Sequence, residues 1–228
     1  MSIPIDFTLY LITDRRQVPG GDLLSAVRRA LRGGVRAVQL REKDLCAREL
    51  LPLAREMRTL TSEFGARLLI NDRLDVALAA GADGVHLGGA SLPVAEARAI
   101  LGPKILIGVS THHQEEISLA ARDGADFVTF GPVYFTASKA PYGPPVGLDA
   151  LGEACADAPL PVFALGGVNT ACLPELLSTG CRRAACIGAI LAAPSPETAA
   201  RDLLRLLPLN PPRQTTQADH RCPTRRDR

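Results

Sequence analysis

Gln39, Arg41, Lys43, Asn71, Ser110, Thr136, Ser138 and Lys139 are cations or neutral hydrogen-bonders scattered widely along the chain. Gathered into one concave mouth, such a set suits a phosphorylated or diphosphorylated small molecule. Guanidinium and ammonium groups neutralise phosphoryl oxygens, while amides and hydroxyls fix their orientation. Asp72 is the acid best placed among them for Mg²⁺, a hard cation that takes few protein carboxylates and completes its shell with phosphate oxygens and water. Gly166-Gly167 and Gly188-Ala189 add bare backbone, whose N–H groups can reach a phosphate at a helix N-terminus. Each feature alone also has a plainer reading. A glycine pair makes a turn, Arg41-Glu42-Lys43 reads as a solvated charge run, and Asp72 suits the N-cap of a helix starting at Arg73. His86 and His112 suit satisfied structural histidines.

The elements that carry these residues argue for bringing them together. Short apolar runs, often β-branched, occur at 8–13, 35–40, 67–70, 84–87, 105–109, 127–130, 161–165 and 183–187. Continuous apolarity over so few residues suits parallel strands buried on both faces. Segments with apolar residues three to four apart lie between and after them, at 22–32, 47–64, 73–80, 93–101, 113–122, 148–154, 170–178 and 196–206, and predict helices. Glycines at 33, 34, 65, 81, 124 and 180 stand where that periodicity stops, as expected after a helix C-terminus. Four joins, RGGVRAVQL, AAGADGVHL, RDGADFVTF and STGCRRAACI, repeat one helix-to-strand phrase. Eight strands alternating with eight helices predict a closed (β/α)₈ TIM barrel, an α/β fold. In that fold the strand carboxyl ends carry function, and every residue singled out above falls at one of them. A doubly wound open sheet fits less well, because LITDRRQVPGGDLL holds no dinucleotide-type glycine loop after the first strand.

Composition narrows the classes further. The chain has 228 residues, 46% hydrophobic and 22% charged, which suits one domain and excludes wholesale disorder. We expect the barrel to occupy 1–207 and a polar, disordered tail 208–228, where three prolines fall in the first six positions. The net charge is +2, but the tail holds five Arg against two Asp, so the rest of the chain is nearly neutral and no nucleic-acid partner is expected. Apolar runs are too short for a membrane span, and MSIPIDFTLY lacks a basic signal-peptide start, so a cytoplasmic protein is expected. The six cysteines form no CxxC pair and read as reduced thiols. Exposed helix faces leave a homo-oligomer open.

YLITD, GVRAVQLREKD, LLINDRLDVALAAGADGVHLG, IGVSTH, GADFVTFGPVYFTASK, PPVGLDAL, PVFALGGV and IGAIL occur in this order across residues 8–192. Together they resemble the thiamine phosphate synthase family, also called thiamine-phosphate pyrophosphorylase. The resemblance implies a (β/α)₈ barrel that joins hydroxymethylpyrimidine diphosphate to hydroxyethylthiazole phosphate with Mg²⁺, releasing pyrophosphate. It implies that Gln39, Arg41 and Lys43 contact the pyrimidine diphosphate, that Asn71, Ser110 and Lys139 contact the diphosphate, and that Asp72 ligates magnesium. Lys43, Lys139 and Ser110 would be catalytic. Thr136 and Ser138 would bind the thiazole phosphate, with Gly167 and Gly188 offering main-chain contacts. Two departures stand out. The family's HLGQxD segment reads His86-Leu87-Gly88-Gly89-Ala90-Ser91 here, so a hydroxyl replaces the second magnesium carboxylate at Ser91. Gly188 replaces a serine. A related thiazole tautomerase group has a histidine after the strand-six glycine, where this chain has Pro132. That isomerase, and a phosphate-ligand binding barrel without turnover, are the rival readings.

Overall fold

A computed structural model describes residues 4–136 and 143–208. Ser138, Lys139 and the predicted tail from residue 209 lie outside the described residues. The strands are β1 (Leu9–Ile12), β2 (Ala37–Leu40), β3 (Arg67–Asn71), β4 (Gly84–Leu87), β5 (Leu106–Thr111), β6 (Phe127–Phe130), β7 (Val162–Leu165) and β8 (Ala184–Cys186). Each pairs in parallel with its predecessor, and β8 pairs with β1, which closes the barrel. The helices are α1 (Leu23–Arg32), α2 (Ala47–Glu63), α3 (Leu74–Ala80), α4 (Val94–Leu101), α5 (Gln114–Arg122), α6 (Gly147–Asp157), α7 (Leu173–Ser178), α8 (Gly188–Leu191) and α9 (Pro196–Leu206).

The expected eight helices become nine among the described residues, with a 3₁₀ turn at Arg15–Gln17 besides. The addition is α8, one turn inserted between β8 and the last long helix. Four residues are too few to display a helical period, which is why the sequence hides it.

Alternation along the strands separates two cores. Leu9, Leu11, Val38, Leu40, Val85, Leu87 and Val128 join the large cluster between barrel and helices. Tyr10, Ile12, Ala37, Leu69, Leu106, Phe127, Phe163 and Ala185 point the other way and fill the barrel itself. Moving two residues toward the carboxyl end keeps the same face. Ala37 is thus followed by Gln39, Leu69 by Asn71, Gly84 by His86, Gly108 by Ser110 and Phe127 by Thr129. The barrel interior is therefore apolar below and polar above, and the polar layer is the floor of the site.

The repeated join phrase has a physical role. In AAGADGVHL the Asp83 carboxylate accepts from the Leu68 N–H at 2.7 Å and pairs with Arg58 of α2 at 2.5 Å. In RDGADFVTF the Asp126 carboxylate accepts from the Ile107 N–H at 2.8 Å and pairs with Arg98 of α4 at 2.7 Å. Each aspartate satisfies the start of the preceding strand and ties it to a helix, so one short phrase builds two corners of the barrel.

Gly108 is required by close packing. A Cβ there would lie 2.4 Å from Phe127 Cζ and 2.6 Å from His86 Nδ1, both on buried rings. Gly108→Ala is expected to cost about 2 kcal/mol by overpacking, read as a lower midpoint in urea unfolding with an unchanged m-value.

Candidate active site

At the strand carboxyl ends a cavity of about 770 Å³ opens. Gln39, Arg41, Lys43, Asn71, Asp72, Ser91, Ser110, Thr136, Gly167 and Gly188 all line it. Every candidate residue within the described part of the chain thus faces one space.

The loop after β2 is built around a buried acid. The Glu42 side chain is 2% accessible and accepts from Thr13 Oγ1 at 2.7 Å and from Arg15 Nη1 at 2.9 Å. The Arg15 backbone N–H reaches both carboxylate oxygens at 3.2 Å. Thr13 Oγ1 in turn accepts from the Arg41 N–H at 2.9 Å. The solvated-run alternative for Arg41-Glu42-Lys43 is therefore overturned at its centre. Glu42 is a clamp between the β1 and β2 exits, and it presents Arg41 and Lys43 to the cavity on either side. Arg41 is half-buried, and burial lowers its pKa against the raising effect of Asp14 and Glu42. A guanidinium stays charged in any case, so the site keeps a desolvated cation.

Asp72 sits in a strained turn. Its φ is +65°, the sole positive value at a non-glycine residue among those described, and the Arg73 N–H donates to the Asn71 carbonyl across it at 2.7 Å. Aspartate tolerates this region better than most residues. The N-cap alternative fails. Arg73 occupies the N-cap of α3 with no side-chain cap bond, and the exposed Asp72 carboxylate has no hydrogen-bond partner among the described residues. Strain of this kind concentrates at functional positions, and here it turns a free carboxylate toward the mouth.

On the neighbouring strand exit, the Ser91 hydroxyl accepts from the Gly88 N–H at 2.7 Å and closes the loop after β4. Among the described residues no three His, Cys, Asp or Glu side chains gather to hold a metal ion. The donor set fits Mg²⁺ only sparingly. Glu42 is already neutralised, which leaves Asp72 with whatever oxygens a bound phosphate supplies.

The polar floor is Gln39, His86, Ser110 and Thr129. Gln39 Nε2 donates to the Tyr10 hydroxyl at 3.1 Å. Burial, and then the Arg41 charge, push His86 down to about 3, so the ring is neutral. Its Nε2 lies 3.1 Å from Ser110 Oγ and 3.4 Å from Thr129 Oγ1, and its Nδ1 is buried without a partner. The reading of His86 as a satisfied histidine is therefore only half right. His112 fits that reading better, with Nδ1 bonded to the Gly131 carbonyl at 2.5 Å.

The far wall is mostly backbone. Gly167 lines the cavity, but α7 starts only at Leu173, so the Gly166-Gly167 pair is a turn and not the expected helix N-terminus. Gly188 does open a helix, α8, whose first N–H groups have no acceptor within the helix. The Thr136 hydroxyl is buried with no partner among the described residues, an orphan polar atom on the cavity wall.

Gln17 and Asn169 also line the space, and sequence reasoning missed them. Gln17 lies over α8, and a Cβ at Gly188 would come within 2.6 Å of its Oε1. It sits in a 3₁₀ turn with no pattern to mark it. Asn169 Oδ1 accepts from the Ala171 N–H at 2.8 Å and its Nδ2 donates to the Gly167 carbonyl at 3.1 Å, which fixes the β7 exit. Its place in GGVN was the available signal.

Fold and mouth together define a (β/α)₈ barrel with its site at the carboxyl-terminal face, cationic on one side and rich in backbone on the other. A family model described as thiamine monophosphate synthase matches residues 9–190. The chain belongs to this family. A putative thiamine-phosphate synthase from Geobacter sulfurreducens is 60% identical over 204 residues, 90% of this chain and 96% of that protein. A thiamine-phosphate synthase from Syntrophomonas wolfei is 43% identical over 201 residues, 88% of this chain and 96% of that one. Among solved structures, thiamine phosphate pyrophosphorylase from Pyrococcus furiosus superposes with a TM-score of 0.80 at 36% identity, covering 88% of this chain and 95% of that one. Among the described residues no helix is long and apolar enough to cross a membrane.

Proposed function

We propose that this chain catalyses the condensation of hydroxymethylpyrimidine diphosphate with hydroxyethylthiazole phosphate, giving thiamine phosphate and pyrophosphate. The observation that carries the reading is the convergence of Gln39, Arg41, Lys43, Asn71, Asp72, Ser110 and Thr136 on one cavity in a member of this family. In the proposed reaction the bond between the pyrimidine methylene carbon and the diphosphate oxygen breaks, and the oxygen keeps the electron pair. The thiazole nitrogen then adds its own pair to the resulting cation.

Such chemistry asks for charge neutralisation and alignment more than for proton transfer. Arg41 and Lys43 would neutralise the departing diphosphate, with Asn71 and Ser110 orienting its oxygens. Lys139 and Ser138 are proposed for the diphosphate and the thiazole phosphate, respectively, on the resemblance alone. The orphan hydroxyl of Thr136 and the free N–H groups at Gly167 and Gly188 supply donors for the thiazole phosphate across the cavity. Asp72, with diphosphate oxygens and water, would hold Mg²⁺, which supplies further neutralisation of the leaving group.

Incubating the purified full chain with both substrates and Mg²⁺ is expected to yield thiamine phosphate and pyrophosphate in equal amounts. No product over a wide range of Mg²⁺ concentration, with pyrophosphate binding retained, would replace this reading with a binding barrel. Isomerisation of a thiazole carboxylate phosphate would replace it with the tautomerase.

A further inference from the structure

We infer that His86 is a positioning residue that acts through Ser110. As its Nε2–H tautomer it donates to Ser110 Oγ and so commits the serine proton to a phosphoryl oxygen in the cavity. The inference rests on the proposed diphosphate role of this mouth and deepens it.

The argument starts from the unpartnered atom. Nδ1 of His86 is buried and has no hydrogen-bond partner. It abuts Gly108, where an ideal Cβ would come within 2.6 Å of it. An N–H at Nδ1 would find no acceptor and be left unsatisfied, and orphaned buried N–H groups are rarer than under-satisfied acceptors. The proton therefore belongs on Nε2. There it meets two hydroxyl oxygens, Ser110 Oγ at 3.1 Å and, less closely, Thr129 Oγ1 at 3.4 Å.

A serine hydroxyl has one proton and two acceptor sites. With Nε2–H occupying an acceptor site, the serine proton is not spent on the histidine and must find an acceptor elsewhere. Ser110 lines the cavity, where that acceptor is a phosphoryl oxygen. With the opposite tautomer the serine would donate to the ring and turn its lone pairs toward the anion, which is repulsive. The packing of Gly108 against the ring is thus the device that fixes which way the serine donates. The aromatic neighbours Tyr10 and Phe127, with ring centroids 5.8 and 5.9 Å from the imidazole, hold it in place.

Two measurements on the full chain test this, with inorganic pyrophosphate and Mg²⁺ as the probe. Two-bond proton–nitrogen correlation spectra of the histidine rings, assigned with His86→Gln, are expected to show His86 protonated at Nε2 alone. The Nδ1–H form would overturn the inference whatever the affinities of the variants. In calorimetric titration, Ser110→Ala and His86→Leu are each expected to weaken pyrophosphate binding about tenfold, one charge-assisted hydrogen bond. The double variant should be no weaker than either single one, because the two residues act in series. His86→Gln, whose amide N–H falls near the Nε2 position, is expected to restore most of the affinity, which a purely space-filling role would not do. Losses that multiply, or a glutamine variant as weak as the leucine one, would refute the inference. Product formation is not among these readouts. A chain that shows this pattern but makes no thiamine phosphate refutes the proposed reaction alone, and one that makes it without the pattern refutes the role of His86 alone.

Discussion

Asp72→Asn is expected to lower kcat/KM for thiamine phosphate formation about a thousandfold, equivalent to ~4 kcal/mol of transition-state stabilisation. The size follows from the site's poverty in acids. Glu42 is consumed by Thr13 and Arg15, and Ser91 brings a hydroxyl where the family resemblance implies a carboxylate. That leaves Asp72 as the one unengaged carboxylate lining the cavity among the described residues, with no second to share its task. Asparagine is the informative replacement, because it also tolerates the positive φ of this turn and removes only the charge. The melting temperature should therefore stay within a degree or two of the parent while steady-state rates collapse. Ser91→Asp in the same background should return part of the loss and lower the Mg²⁺ concentration needed for half-maximal rate. If Asp72→Asn keeps more than a tenth of the parent activity, the metal role given to this residue is wrong.

Phe127→Ala should have the largest effect on stability, about 4 kcal/mol. The ring is fully buried and packs edge-on against Phe7 and Tyr10, with centroids 5.7 and 5.4 Å away, and against Phe163 at 5.3 Å. Deleting it leaves a cavity that the closed barrel cannot collapse to fill, because strands hydrogen-bonded on both sides cannot move inward. For a chain of this size the loss corresponds to roughly 10 °C in melting temperature. Phe135→Ala serves as the control. Its ring is 70% exposed, and its truncation should leave the melting temperature nearly unchanged. Equal losses at both positions would mean that the interior ring stack contributes no more than surface does.

The barrel was legible because both faces of its strands are apolar, a pattern confined to short runs such as LYLI and LLIN. Predicted and observed ends differ by no more than three residues, and the misses fall where helix periodicity fades, as at α6 and α7. The rim was legible too, since polar residues follow those runs directly. Long-range pairing was not. Nothing in REKD says that Glu42 turns inward, because the partners that make its burial tolerable, Thr13 and Arg15, are 29 and 27 residues away. His86 resisted for the same reason. Its meaning depends on Gly108 and Ser110, on the next strand of the closed sheet. The glycine pair after β7 reaches the cavity as expected, but not as a helix N-terminus. It has the composition of a phosphate loop, but the helix that would complete one begins too late in the chain.

The ring stack below the polar floor has a consequence for traffic. Phe7, Tyr10, Phe127 and Phe163 plug the barrel from beneath, so the cavity is a cul-de-sac. Both substrates and both products of the proposed reaction must therefore pass through the one mouth at the strand carboxyl ends. Traffic is thus confined to one side of the molecule by the way eight strands are filled.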